Sequence, residues 1–314
     1  MKAKRMSLIR TPLAKLKTCS ILPAILVVFA LIGCSGGNVD KTMNDVEKDL
    51  EERNFTDALH KLDLLTKKHD ELPPRAHYLY GRVYLGHMNL PEAELHFSQL
   101  LQMDEGYRDS VALAYRNRGI ELGKVGKREL SIECLEEAMR ISPAIDMSNA
   151  YVLMGELYTK YGEVGRAVHY YRRALNSLKD STTRALTWEK LIKLLERMGD
   201  PGDAFLATEQ AMHEHHYYLE SRYCQNGYKY AEDLLHRGVL DSADLIMTRV
   251  LQVPLSPMLR DDIFFLAGEI RFKNGDIEGA KEAYREVLKL SVNASRALIQ
   301  RARDRLTLLG EEVE

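Results

Sequence analysis

The sequence predicts an all-α chain, a solenoid of stacked helix hairpins that follows a separate N-terminal segment. Three observations carry this expectation. One frame position, Gly or Ala in five of six copies, recurs at a nearly constant interval of 36 to 39 residues through most of the chain. Apolar residues fall at helical spacing, with no period-two alternation to mark strands. A basic stretch and then a short apolar run precede the first repeat and do not share its pattern.

The N-terminal segment is read first. Six of the 44 basic residues (Lys2, Lys4, Arg5, Arg10, Lys15, Lys17) precede Cys34, and no acid does. An apolar run, Ile21 to Gly33, follows and ends at Cys34-Ser35-Gly36-Gly37-Asn38. This is the layout of a signal peptide. The run holds 13 residues and includes Pro23, whereas a spanning helix needs roughly 20 apolar residues. Leu31-Ile32-Gly33-Cys34 resembles the lipobox of bacterial lipoproteins. That resemblance implies cleavage before Cys34, a covalent lipid on its sulfur, and residence in the bacterial cell envelope. Ser35, in place of an Asp, favours the outer membrane, facing the periplasm. Several acyl chains on one residue would make a firm tether, because one chain alone binds membranes marginally. The expected organisation is a cleaved signal at 1–33, the lipidated Cys34 with a linker at 34–41, hairpins over 42–294, and a capping helix with tail at 295–314.

Removal of the signal leaves 38 basic residues against 46 acidic ones, a balance of −8. A mildly acidic body argues against nonspecific nucleic-acid binding, which needs clustered cations on phosphates. With 45% hydrophobic residues the chain has ample material for a core, and the repeat pattern decides its form.

The clearest repeat carries Tyr151, Met154, Gly155, Tyr158, Gly162, Ala167, Tyr171 and Ala174. The same frame falls on Tyr80, Gly81, Tyr84, Ala93 and Phe97, and then on Tyr115, Gly119, Leu122, Leu135, Ala138 and Pro143. Downstream it takes Trp188, Leu191, Leu195, Gly199, Ala204 and Ala211, then Leu234, Gly238, Ala243 and Met247, then Phe264, Gly268, Gly275, Ala280 and Tyr284. A weaker copy precedes them at Leu50, Asn54, Ala58, Leu62 and Leu65. Positions 81, 119, 155, 192, 231 and 268 are equivalent, spaced by 38, 36, 37, 39 and 37 residues. Paired helices approach closely only where side chains are small, so Gly155 and Ala167 mark the contact inside one hairpin. These residues resemble the tetratricopeptide (TPR) pattern, whose consensus repeat is roughly 34 residues. Seven hairpins are expected, three of them degenerate. The resemblance implies a right-handed superhelix, and Leu298, Ala302, Leu306 and Leu309 give the capping helix one apolar face.

Residues that carry chemistry are few. Met212-His213-Glu214-His215-His216-Tyr217-Tyr218 is the one histidine cluster. On a helix, His213 and His216 would share a face and offer a weak metal site, with Glu220 nearby. The zinc-protease spacing needs a second His where Tyr217 stands, so a polar linker is the plainer reading. Cys134 and Cys224 sit three hairpins apart, beyond disulfide reach, and are expected as buried free thiols. No phosphate loop or nucleophile elbow occurs. No enzyme activity is expected, and no cofactor beyond the lipid on Cys34.

What remains is surface. In the family the first helix of each hairpin lines a groove that takes up peptides or partner helices. By frame, the resemblance implies groove places at Arg75, Tyr78, Arg82, Arg116, Lys124, Asn149, Glu156 and Lys160. Downstream it implies Glu189, Lys193, Tyr228, Glu232, Phe265, Glu269 and Phe272, the aromatics among them as exposed anchors. Arg and aromatic residues are the types that anchor interfaces. The family's carboxylate clamp is not matched, since Val152 and Glu156 occupy two of its places. The expected function is a membrane-anchored adaptor for other envelope proteins or peptides, with no nucleic-acid partner. TPR lipoproteins of this layout serve pilus assembly, outer-membrane protein insertion, polysaccharide export or cell-wall enzyme regulation. A glycan-binding solenoid, or a metal-dependent enzyme built on His213 and His216, are the alternatives.

Overall fold

The computed structural model describes residues 39–69, 71–214, 216–253, 260–289 and 295–312, so the signal segment and Cys34 lie outside the described residues. Every regular element among them is helical, with no strand. They form two compact units, divided between Tyr107 and Arg108.

The first unit holds α1 (39–51), α2 (Phe55–Thr66), α3 (Pro74–Gly86), α4 (Leu90–Met103) and a single 3-10 turn, Glu105–Tyr107. The helix starts follow from local chemistry. Pro74 opens α3, where its missing N–H costs nothing, and the Asn89 side chain accepts from the backbone N–H of Glu92 at the head of α4. The core is a set of apolar stripes at helical spacing: Met43, Val46 and Leu50 on α1, Ala58, Leu62 and Leu65 on α2, and Ala76, Leu79, Tyr80 and Val83 on α3. The Tyr80 hydroxyl donates to Asp63 at 3.0 Å and pairs with Thr66 at 2.7 Å, which satisfies a polar end buried in that core.

The second unit holds α5 (Arg108–Lys124), α6 (Arg128–Ile141), α7 (Ser148–Tyr161), α8 (Val164–Ser177), α9 (Ser181–Met198), α10 (Pro201–His213), α11 (Glu220–His236), α12 (Leu240–Leu251), α13 (Arg260–Lys273), α14 (Ile277–Lys289) and α15 (Arg296–Leu308). Odd and even neighbours pair as hairpins, and each even helix also packs on the next odd one. First helices touch one another as well, α5 against α7, α11 against α13, and α13 against α15. Asp180, Asp200 and Ser295 cap α9, α10 and α15 by accepting from the backbone N–H of Thr183, Asp203 and Leu298.

The repeat frame is visible in the backbone itself. Positive φ occurs at Arg53, Met88, Gly126, Gly162, Gly199, Gly238 and Gly275, once per hairpin turn. Each of these residues lies seven places after a buried first-helix position: Val46, Gly81, Gly119, Gly155, Ile192, Ala231 and Gly268. Sixteen places after each of those positions comes its partner on the second helix, and the two sizes compensate. Gly81 faces Phe97, Gly119 faces Leu135, Gly155 faces Tyr171 and Gly268 faces Tyr284. Where the first residue is larger, the matching place holds a residue that keeps the summed volume in range: Thr208 after Ile192, Met247 after Ala231 and Leu62 after Val46, all fully buried. The degenerate hairpins therefore obey the packing rule with different residues, as close-packed interiors require.

Candidate partner-binding surface

Each expected groove residue stands on the first helix of a hairpin. In the first unit, Arg75, Tyr78 and Arg82 converge on α3. Arg75 donates to Glu47 at 2.8 Å and to Asn44 at 2.6 Å, so its charge is met by α1. The half-buried Tyr78 ring lies 5.7 Å from the Tyr107 ring and 6.1 Å from Phe97, with the Arg82 guanidinium 5.7 Å from its centroid. Burial raises the Tyr78 hydroxyl above the usual phenol range, partly opposed by Arg82.

In the second unit, Arg116 donates to the Asp146 carbonyl at 2.6 Å, and Lys124, Asn149 and Lys160 are exposed. Glu156 is bound by Lys190 of the next first helix, and Lys193 bonds Glu189 along α9 at 2.6 Å. Tyr228 is half-buried, with its hydroxyl 3.5 Å from Glu232.

The two phenylalanines correct the expectation of exposed anchors. Phe265 is only 6% exposed, packed beside Tyr284 with the Arg301 guanidinium 4.3 Å over its ring. Phe272 is half-buried, with Arg305 5.7 Å from its ring. Both are covered because α15 lies against α13 in the place of a further first helix. Arg305 also forks onto Glu269, with both bonds 2.7 Å. Burial works against ionisation of Glu269, but the bonds from Arg305 and Tyr284 hold its carboxyl below the usual range. A pattern emerges that sequence reading did not isolate. Glu47, Glu156 and Glu269 occupy one repeat position, and each receives a cation from the following first helix, Arg75, Lys190 and Arg305.

The histidine segment departs from its expected geometry. Helix α10 ends at His213, and His216 lies beyond it, just before the 3-10 turn Tyr217–Leu219, so the two do not share a helical face. The break follows from Glu214, which is drawn onto α9. It accepts from the Arg184 Nε at 2.6 Å and from the Trp188 Nε1 at 2.8 Å. The Arg184 guanidinium holds the Glu214 carboxyl below the usual range. His216 is left with a buried Nε2 that has no hydrogen-bond partner among the described residues, 3.8 Å from Glu214. No group of three or more metal-ligating side chains occurs among the described residues. His213 instead lines two open clefts, one of about 680 Å³ with Trp188, Leu206 and Gln210, and one of about 670 Å³ with Tyr217, Tyr223 and Arg249.

Two other titratable groupings are structural. His77 and His96 approach at 3.3 Å between their Nδ1 atoms, and His96 stacks on Tyr80 at 4.5 Å; burial brings His96 down to about 4. Cys134 and Cys224 are buried free thiols, pushed by burial up to about 12 and about 11, which leaves them unreactive.

Helix hairpins in register, small-to-large packing across each crossing, and first helices presenting mixed charged and aromatic faces define a helical-repeat interaction protein. Models of the tetratricopeptide repeat match residues 49–108 and 261–291, so the chain carries tetratricopeptide repeats in those segments. No curated protein matches the sequence. Solved structures similar to it include a tetratricopeptide repeat protein from Parabacteroides merdae, at 14% identity over 87% of this chain and 99% of that one, with a TM-score of 0.36. YrrB, described as a TPR protein with an unusual peptide-binding site, is 18% identical over 66% of this chain and 97% of its own, with a TM-score of 0.33. The PilF protein of Pseudomonas aeruginosa is 16% identical over 65% of this chain and 90% of its own, with a TM-score of 0.30. The family assignment rests on the repeat models and the hairpin geometry. Proteins of this fold bind other proteins or peptides.

Proposed function

We propose that the chain is a lipid-tethered adaptor that holds partner proteins of a bacterial envelope assembly against a membrane. The adaptor role is supported by one observation above others: the first helices carry Arg and Tyr side chains that are neither fully buried nor fully solvated, such as Tyr78 with Arg82. Such side chains lose little freedom on binding and supply area and charge together. The tether is proposed from Leu31-Ile32-Gly33-Cys34 and the basic, apolar segment before it. Among the described residues no helix is long and apolar enough to cross a membrane.

Crosslinking in membranes of the native host, followed by mass spectrometry, tests the adaptor. A defined set of protein partners is the expected result, and recovery of glycan alone would overturn it. The tether is tested separately by fractionating the Cys34→Ala chain, which is expected in the soluble fraction.

A further inference from the structure

Two residues before the left-handed turn of each hairpin in the second unit stand Lys124, Lys160, Arg197, His236 and Lys273. All five are exposed, each in the last turn of a first helix. Among the described residues none of them makes an ion pair. On each helix the nearest preceding carboxylate has another partner: Glu121 holds Arg118, Glu156 holds Lys190, Glu196 holds Arg222, Asp233 holds Arg237 and Glu269 holds Arg305. The equivalent places in α1 and α3 are Glu51 and Gly86, so the row belongs to the second unit alone.

The carbonyl end of a helix attracts cations, which accounts for a basic residue somewhere in a last turn. It does not account for one register in five successive first helices, nor for the lack of it in α1 and α3. Unpaired cations one per hairpin make a ladder, and where successive first helices are in direct contact, α5 with α7 and α11 with α13, its rungs lie a helix-packing distance of about 8–10 Å apart. An extended polyproline II peptide rises 3.1 Å per residue with three residues per turn, so one side of it repeats every 9 Å or so. A carboxylate at every third residue would then meet one cation per hairpin.

We propose that this row is the docking site for an extended acidic peptide segment carrying a carboxylate at every third position. The proposal rests on the adaptor reading and gives the partner's chemistry at that face. Four of the contacts are Lys or Arg, and the fifth is His236.

The test is fluorescence anisotropy of a labelled peptide of five Glu-Pro-Pro triplets against the purified full-length chain. Two further peptides serve as references, one with the same residues but its five glutamates consecutive, and one with Gln for Glu. Each exposed charge pair is worth about two- to fivefold in affinity, so a chain with Lys124, Lys160, Arg197 and Lys273 all changed to Gln is expected to bind more than tenfold more weakly. Added salt is expected to weaken the wild-type complex. A second variant, Arg140→Gln with Lys289→Gln, removes exposed cations from second helices and is expected to bind like the wild type. Equal melting temperatures across the variants would show that folding is intact, since none of these side chains is buried. Equal affinity for the bunched peptide, equal loss in the second variant, or binding of polygalacturonate in place of the peptide would each overturn the proposal. Failure of every peptide while crosslinking still recovers protein partners would sink the row and leave the adaptor standing.

Discussion

Gly155 offers the sharpest test of the packing rule. A Cβ built there would sit 2.6 Å from two ring carbons of Tyr171, and that ring is 3% exposed. Ordinary carbon contacts lie near 3.5–4.0 Å, so α7 and α8 would have to separate by roughly 1 Å or the ring leave its rotamer. Overpacking of this kind costs about 1–3 kcal/mol, while alanine in a helix interior gains about 1 kcal/mol over glycine. Gly155→Ala is therefore expected to lose up to about 2 kcal/mol net, or up to roughly 8 °C in melting temperature for a body of this size. Gly165→Ala is the control. That glycine is on α8, ten residues away, with nothing within 4 Å of its added Cβ, and the change is expected to be neutral or stabilising by up to about 1 kcal/mol. Tyr171→Leu should absorb the new methyl group, so the double variant with Gly155→Ala would be more stable than the sum of the two single losses. Circular dichroism melts of the four chains decide it. A Gly155→Ala chain as stable as the Gly165→Ala chain would refute the close crossing, and with it the equivalence of Gly81, Gly155 and Gly268.

Three further outcomes follow from side-chain geometry. Arg305→Ala leaves Glu269 in a half-buried site without its cation and is expected to loosen α15 by about 1–3 kcal/mol, read as faster amide exchange over Arg296–Leu308. Because the Glu269 carboxyl is depressed in the folded chain, the stability it gives is present above the ordinary carboxylate range and lost as pH falls through the folded value, so the protection of α15 amides relative to their intrinsic exchange rate should drop below about pH 4. Glu214→Ala strands the Trp188 N–H and the Arg184 guanidinium. Trp188 is the only tryptophan, so a red shift of the chain's indole emission reports the loss directly, and unchanged emission would contradict the clamp. Cys34→Ala should move the chain from membranes to the soluble fraction, and persistence in membranes would mean another anchor.

The frame was legible because its determinants are local. A glycine at a helix crossing, an aromatic sixteen places on and a glycine at the turn are all single residues, and Gly155, Tyr171 and Gly162 display all three. The degenerate hairpins were harder to read because packing conserves summed volume and not identity: Ile192 with Thr208 satisfies the same crossing as glycine with tyrosine. Expectation failed where one element covers another. Nothing in the local sequence of Phe265 or Phe272 reveals that α15 lies across them. The histidine segment misled for a related reason. No glycine or proline marks the end of α10, and the break is made by Glu214 reaching to Arg184 and Trp188, a tertiary effect without a local sign. The row of last-turn cations was partly visible, since Lys124 and Lys160 were in the groove set, but its register needed the turn positions.

Two turns in the first unit have a cost of their own. Arg53 and Met88 hold φ values of 63° and 62°, in a region where a side chain costs about 1–2 kcal/mol and glycine almost nothing. Opening either turn releases that strain, so the hairpins α1/α2 and α3/α4 carry a built-in bias toward transient fraying that hairpins turning on Gly126, Gly162 or Gly275 lack. Since Tyr78 and Arg82 stand on α3, a groove face that joins an aromatic ring to a cation sits on a hairpin whose turn yields more readily than the glycine turns do. A partner gripping it would tighten the very loops that strain loosens, so that occupancy itself would stiffen this end of the chain.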